Sequence, residues 1–177
     1  YYTDEKYAHE IGNIQKTVDS YAKKYDTKIP IAVAGGIDTP QKVKHVLNLG
    51  VQAVQVGTRF VTTEECDADI RYKQAYIKAC KEDIVIVKSP VGMPGRAIKN
   101  TMLESVQRGE NIPPRKCYHC LAKCDPGKIP YCITKALIEA AKGNTEEGLL
   151  FCGANAYRAE KIETVKEVIA NLMQECV

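Results

Sequence analysis

Neither sign of charge prevails in this sequence of 177 residues: 25 basic side chains face 22 acidic ones, a net charge of +3. So even a balance provides no electrostatic footprint for nucleic acid. No basic stretch interleaved with aromatics offers a platform for bases. No apolar run approaches the ~18 residues of a membrane span, and no charged-then-apolar leader marks a signal peptide. Neither nucleic acid nor a membrane is therefore an expected partner, and the cytoplasm is the expected compartment. The chain also lacks an initiator methionine, opening on Tyr1-Tyr2. A hydrophobic content of 45% is enough for a globular core.

What is present centres on Ile29 to Phe60, IPIAVAGGIDTPQKVKHVLNLGVQAVQVGTRF. Ile31 to Ala34 is a run of small and branched apolar residues ending at Gly35-Gly36, the pattern of a parallel strand buried on both faces. A helix is expected next, with Thr39 capping its free amides, Pro40 in its first turn, Val43, Val46 and Leu47 as its apolar stripe, and Gly50 at its end. Val51 to Val56 then reads as a second strand, closing on Gly57-Thr58. Two strand ends from successive βα units, both glycine-edged, would expose backbone N–H groups at one rim, which suits phosphate. Glycine lets the chain approach an anion, the helix N-terminus adds a favourable dipole, and Thr58 adds a hydroxyl. The alternative for either pair alone is a tight turn without a ligand.

The segments IPIAVAGGI, AVQVGTRF, TTEE and PGRAIKN together resemble the C-terminal half of the nitronate monooxygenase and FMN-dependent enoyl-ACP reductase family. The resemblance implies an α/β fold, a partial (β/α)8 TIM barrel with an accessory, mainly helical C-terminal segment. It implies barrel units over residues 1–88, and a loop, a cysteine-rich segment and helices over 89–177. It implies an oxidoreductase that holds the FMN phosphate at Gly35, Gly36, Gly57 and Thr58, with Gln55 as a further contact. The substrate would be a nitronate oxidised with dioxygen, or an enoyl thioester reduced with NAD(P)H. The family's catalytic histidine lies in a GGH motif, and none occurs here. A complete barrel needs ~250 residues. The expectation is thus a fragment whose missing N-terminal half is its partner, inactive alone, with a homodimer as a further expected assembly. A non-catalytic phosphate- or nucleotide-binding α/β module is the alternative.

The rest of the chain surrounds this centre. Tyr1 to Asp26 has Ile11, Ile14, Val18, Tyr21 and Ala22 at helical spacing, an amphipathic helix on which His9 is a surface or packing residue. His45 reads as solvated surface. Thr62 and Glu65 form a capping-box signature for a helix running to Cys80. Arg59 is expected to pair with Glu64 or Glu65. Asp83 to Lys88 reads as a strand, Ser89 to Gly95 as a break, and Arg96 to Arg108 as a helix, with Arg96 anchoring its loop.

Eight cysteines in a reducing compartment favour thiols or metal ligands over disulfides. Cys117, Cys120, Cys124 and Cys132 form a C-x2-C-x3-C-x7-C array suited to zinc or an iron–sulfur cluster, with His119 as a substitute ligand and packed thiols as the alternative. Cys66 and Cys80 stand alone. Ile133 to Lys142 is an expected helix with Ile133, Ala136, Leu137, Ala140 and Ala141 inward. Gly148 to Arg158 is a strand or turn, or else a segment presenting Asn155 and Tyr157 to the flavin. Glu160 to Cys176 closes the chain as a helix with Ile162, Val165, Ile169, Leu172 and Met173 on one side.

Overall fold

A computed structural model describes residues 4–114, 116–122 and 124–176 as a mixed α/β protein. The chain forms two compact units, one of residues 1–56 with 169–177 and the other of residues 57–168. Among the described residues, no helix is long and apolar enough to cross a membrane.

In the first unit, helix α1 (Asp4–Tyr25) leads to strand β1 (Ala32–Ala34), helix α2 (Pro40–Asn48) and strand β2 (Ala53–Gln55). The strands pair in parallel, Ala32 with Ala53, Val33 with Val54 and Ala34 with Gln55. This is the expected βαβ arrangement. Helix α2 starts where its residue types dictate: Thr39 accepts a hydrogen bond from the Lys42 amide and Pro40 occupies the first turn. Val43 and Val46 are buried, whereas His9 and His45 are exposed. On α1, Ile11 is buried and Val18 and Ala22 are half-buried, but Ile14 and Tyr21 of the expected stripe are exposed. Strand β1 also departs from its apolar composition, because Ala32 and Ala34 are exposed. Its only strand partner among the described residues is β2.

The second unit corrects several expectations. Thr62 and Glu65 do not open a helix. Thr62 and Thr63 are buried in a loop, the Thr63 hydroxyl donates to the Phe60 carbonyl, and the Glu65 carboxylate instead accepts from the Val165 amide at 2.9 Å. Helix α3 (Ile70–Lys78) begins later, capped by Asp69 through the Arg71 amide. The buried Lys73 ammonium donates to the carbonyls of Thr63 and Glu64, so contacts remote in sequence fix the 62–65 loop. Arg59 forms an ion pair, as expected, but with Glu163 at 3.0 Å.

Strand β3 (Ile84–Lys88) is present, yet Arg96 to Ile98 belongs to a strand rather than a helix. Strand β4 (Pro94–Ile98) pairs antiparallel with β3, from Ile84 opposite Ile98 to Lys88 opposite Pro94. Helix α4 (Thr101–Gln107) starts only after Asn100, whose side chain caps the Leu103 amide. The 149–152 segment continues the sheet beyond β4. Ala97 bridges Phe151, the Ile98 amide donates to the Leu150 carbonyl, and the Cys152 amide donates to the Arg96 carbonyl.

Burial concentrates here on Tyr76, Ala97, Leu103, Tyr131, Leu149 and Leu150. Helix α5 (Ile133–Ala141) buries Ala136 and Ala140 as expected but exposes Leu137. Helix α6 (Val165–Met173) belongs to the second unit up to Val168, which is buried, and to the first from Ile169 on, where Leu172 is buried and Ile169 and Met173, expected inward, are exposed.

Candidate functional site

The first glycine turn follows β1. Gly35 and Gly36 have φ of +100° and +70°, a region that any side chain with a Cβ enters at a cost, so the turn selects glycine. A methyl group at either would meet no atom within 4 Å, leaving room for a ligand against the backbone. Gln55 pairs with Ala34, directly before this turn, and is exposed. Lys42 adds a charge the sequence reading overlooked. Its ammonium lies 2.9 Å from the Gly36 carbonyl and 3.0 Å from Asp38. The signal was a lysine in the first turn of the helix that follows the glycines.

The second turn, Gly57-Thr58, opens the second unit. Gly57 has φ −115°, which any residue adopts, so its claim to be glycine rests on space alone; a methyl group there also meets nothing within 4 Å. The Thr58 hydroxyl accepts from the Gly153 amide at 2.8 Å. A threonine hydroxyl has one proton and two acceptor sites, so this bond orients the oxygen and leaves its proton for an anion. Gly153 was not foreseen as its partner, because the contact joins residues far apart in sequence.

Cysteine chemistry divides by environment. Cys152 sits by Tyr76, whose hydroxyl donates to the neighbouring Phe151 carbonyl at 2.6 Å. Burial pushes the Cys152 thiol up to about 11, which keeps it protonated and poorly nucleophilic at neutral pH.

Cys117, Cys120, Cys124 and Cys132 line one cavity of about 190 Å³ together with His119. Desolvation raises the Cys124 thiol, and the neighbouring Cys117, Cys120 and Cys132 raise it further. The thiols are gathered as the spacing suggested, but not as a finished metal site. Among the described residues, no three histidine, cysteine, aspartate or glutamate side chains stand as a ligand set. Local hydrogen bonds hold two of the sulfurs: Cys117 accepts from the His119 amide at 3.4 Å and Cys120 from the Thr134 hydroxyl at 3.0 Å.

Comparison with known proteins bears on the whole chain. The family model described as nitronate monooxygenase matches residues 4–175. A probable nitronate monooxygenase of Staphylococcus haemolyticus (strain JCSC1435) is 37% identical over 87 residues, 49% of this chain and 24% of the relative. Another, of Bacillus subtilis (strain 168), is 26% identical over 149 residues, 83% of this chain and 40% of the relative. Among solved structures, FabK from Thermotoga maritima superposes with a TM-score of 0.65 at 27% identity, covering 84% of this chain and 44% of FabK. A nitroalkane oxidase from Streptomyces ansochromogenes superposes with a TM-score of 0.59 at 23% identity, covering 86% of this chain and 42% of that one, a likeness of fold. The chain thus spans less than half the length of each of these proteins.

Proposed function

Because the chain belongs to the nitronate monooxygenase family, we propose that it is the FMN phosphate-binding part of a flavin-dependent oxidoreductase that oxidises nitronates. The observation that carries this is the pair of glycine turns. Gly35 and Gly36 hold a left-handed backbone with open space over it, and Thr58 has its oxygen fixed by Gly153 with a proton left to donate. Both features suit a phosphate monoester, whose oxygens accept backbone and hydroxyl protons. Gly35, Gly36, Gly57 and Thr58 would hold the phosphate, with Gln55 a further flavin contact and Lys42, paired with Asp38, a nearby ammonium. Bound FMN would supply the redox chemistry, accepting electrons from the substrate. The role of these residues is to bind and orient the cofactor.

The barrel portion, residues 1–88 on the family resemblance, is proposed to be completed by a preceding half of the same protein. The exposed apolar face of β1 supports this, since it is the face further barrel elements would cover. Reduction of an enoyl thioester with NAD(P)H is the second reading, favoured by the AGGI and GTRF motifs, which resemble those of the FMN-dependent enoyl-ACP reductases as well. The test is a comparison on the full-length protein of nitronate-dependent oxygen uptake with NAD(P)H-dependent reduction of crotonyl thioester. Nitronate turnover is expected to dominate; thioester reduction alone would select the second reading, and a protein that binds phosphate ligands but no flavin would be a non-catalytic module.

A further inference from the structure

The segment between α4 and α5 has an unusual construction. Over residues 113–130, no helix or strand is assigned among the described residues. Ordered proteins seldom carry more than about 12–15 such residues without a function for them. Its base is firmly closed: Ile112 bridges Tyr131, the Ile112 amide donates to the Pro130 carbonyl at 2.7 Å, and both Ile112 and Tyr131 belong to the packed core of the second unit. Above that base the segment has little apolar support of its own, since Tyr118 is 52% and Leu121 40% exposed. What converges inside it is sulfur. Cys117, Cys120 and Cys124 from the segment and Cys132 from the N-terminal edge of α5 line the same cavity.

Two details suit these sulfurs to a metal rather than to idle packing. Cys117 and Cys120 already accept hydrogen bonds from the His119 amide and the Thr134 hydroxyl, the kind of donor that supports negative charge on a ligating thiolate. The two ligand spacings C-x2-C and C-x3-C fall within those of thiolate metal sites.

We propose that Cys117, Cys120, Cys124 and Cys132 are the ligands of a thiophilic metal centre, zinc or an iron–sulfur cluster, which staples the 113–130 segment to the start of α5. As each sulfur–metal bond forms, the thiol releases its proton to solvent. Zinc, or a cluster delivered already assembled, exchanges its earlier ligands for these thiolates with no change of oxidation state, so no oxidant or reductant is required. The sulfurs must draw in to about 2.3 Å from the metal, a movement that the irregular backbone of the segment's described residues allows.

The test uses full-length protein purified anaerobically, with zinc, iron, acid-labile sulfide and flavin measured on the same sample. About one zinc per chain is expected, or iron matched by labile sulfide. Replacing Cys120→Ser should lower the metal content at least tenfold, and the distant Cys66→Ser should leave it unchanged. Stripped wild-type protein titrated with Co2+ should show the absorption of tetrahedral cobalt thiolate at one equivalent, in the red where flavin does not absorb. That measurement requires no variant to fold. Wild-type protein that carries no metal and develops no cobalt thiolate bands would overturn the proposal. Flavin content is read separately, so failure here is distinct from failure of the flavin site.

Discussion

Replacing Thr58→Val removes one oxygen with two separable duties. The first is structural. The Gly153 amide donates to that oxygen at 2.8 Å in a half-buried setting, so valine leaves the amide without this acceptor, at a cost of about 1–3 kcal/mol. The apoprotein should melt at lower temperature. The second duty is to the ligand: losing a hydroxyl donor to a charged phosphate should weaken FMN by a further ~1.5–3 kcal/mol, about ten- to a hundredfold in Kd. Fluorescence titration of the full-length apoprotein with FMN and with riboflavin separates the two. Riboflavin has no phosphate, so the structural effect acts on both ligands and the ratio of their affinities isolates the phosphate contact. Thr58→Ser keeps the hydroxyl and should retain both stability and the ratio. Equal loss of FMN and riboflavin in Thr58→Val would make Thr58 a fold residue only. No loss of either would place the phosphate elsewhere.

Three further expectations follow from other contacts. Gly148 packs so closely on α5 that a methyl group would lie 2.6 Å from the Ala140 backbone; Gly148→Ala should lower stability by about 1–3 kcal/mol or more, and a melting temperature unchanged from wild type would refute that packing. The Arg71 guanidinium and amide hydrogen-bond the Asp69 carboxylate and hold its pKa at about 2 rather than 3.8, so the folded state binds this proton less tightly than the unfolded chain. Its contribution is therefore present above pH 3.8 and lost as pH falls toward 2; Asp69→Asn should flatten the stability-versus-pH curve in that window, and an unaltered curve would contradict the pairing. The 177-residue chain alone is expected to show no steady turnover of nitronate or enoyl thioester, since its matches span only 24% and 40% of the two curated relatives; turnover by that chain would contradict its proposed dependence on a further half.

The legible parts of the fold were those written in local sequence. Thr39, Pro40 and Gly50 marked α2 because caps and breakers act within one turn, and the glycine doublet marked a left-handed turn that only glycine enters easily. Contacts distant in sequence were not legible. Arg96 to Ile98 has no strong strand signature, and pairing with Val85 and the 149–152 segment makes it one. The Thr62-to-Glu65 pattern satisfies the spacing of a capping box, but Lys73 fixes the carbonyls of Thr63 and Glu64 between them and the Val165 amide takes the Glu65 carboxylate, so tertiary contacts hold the segment as a loop. Helix phase was likewise approximate. In α6 the apolar residues cover more than one face, and packing selected Val168 over Ile169. At the candidate site the glycines and Thr58 could be read, whereas the bond from Gly153 that orients the hydroxyl could not.

The most direct test of a flavin phosphate site is to release and identify the chromophore of the full-length protein. Purified protein should be yellow, and denaturation should free about one FMN per chain, identified by mass, with the apoprotein rebinding FMN at least ten- to a hundredfold more tightly than riboflavin, the range expected for a single charged hydrogen bond or more. A colourless protein that takes up no flavin, or one that binds FMN and riboflavin equally well, would contradict the assignment of the phosphate to the Gly35-Gly36 and Gly57-Thr58 turns.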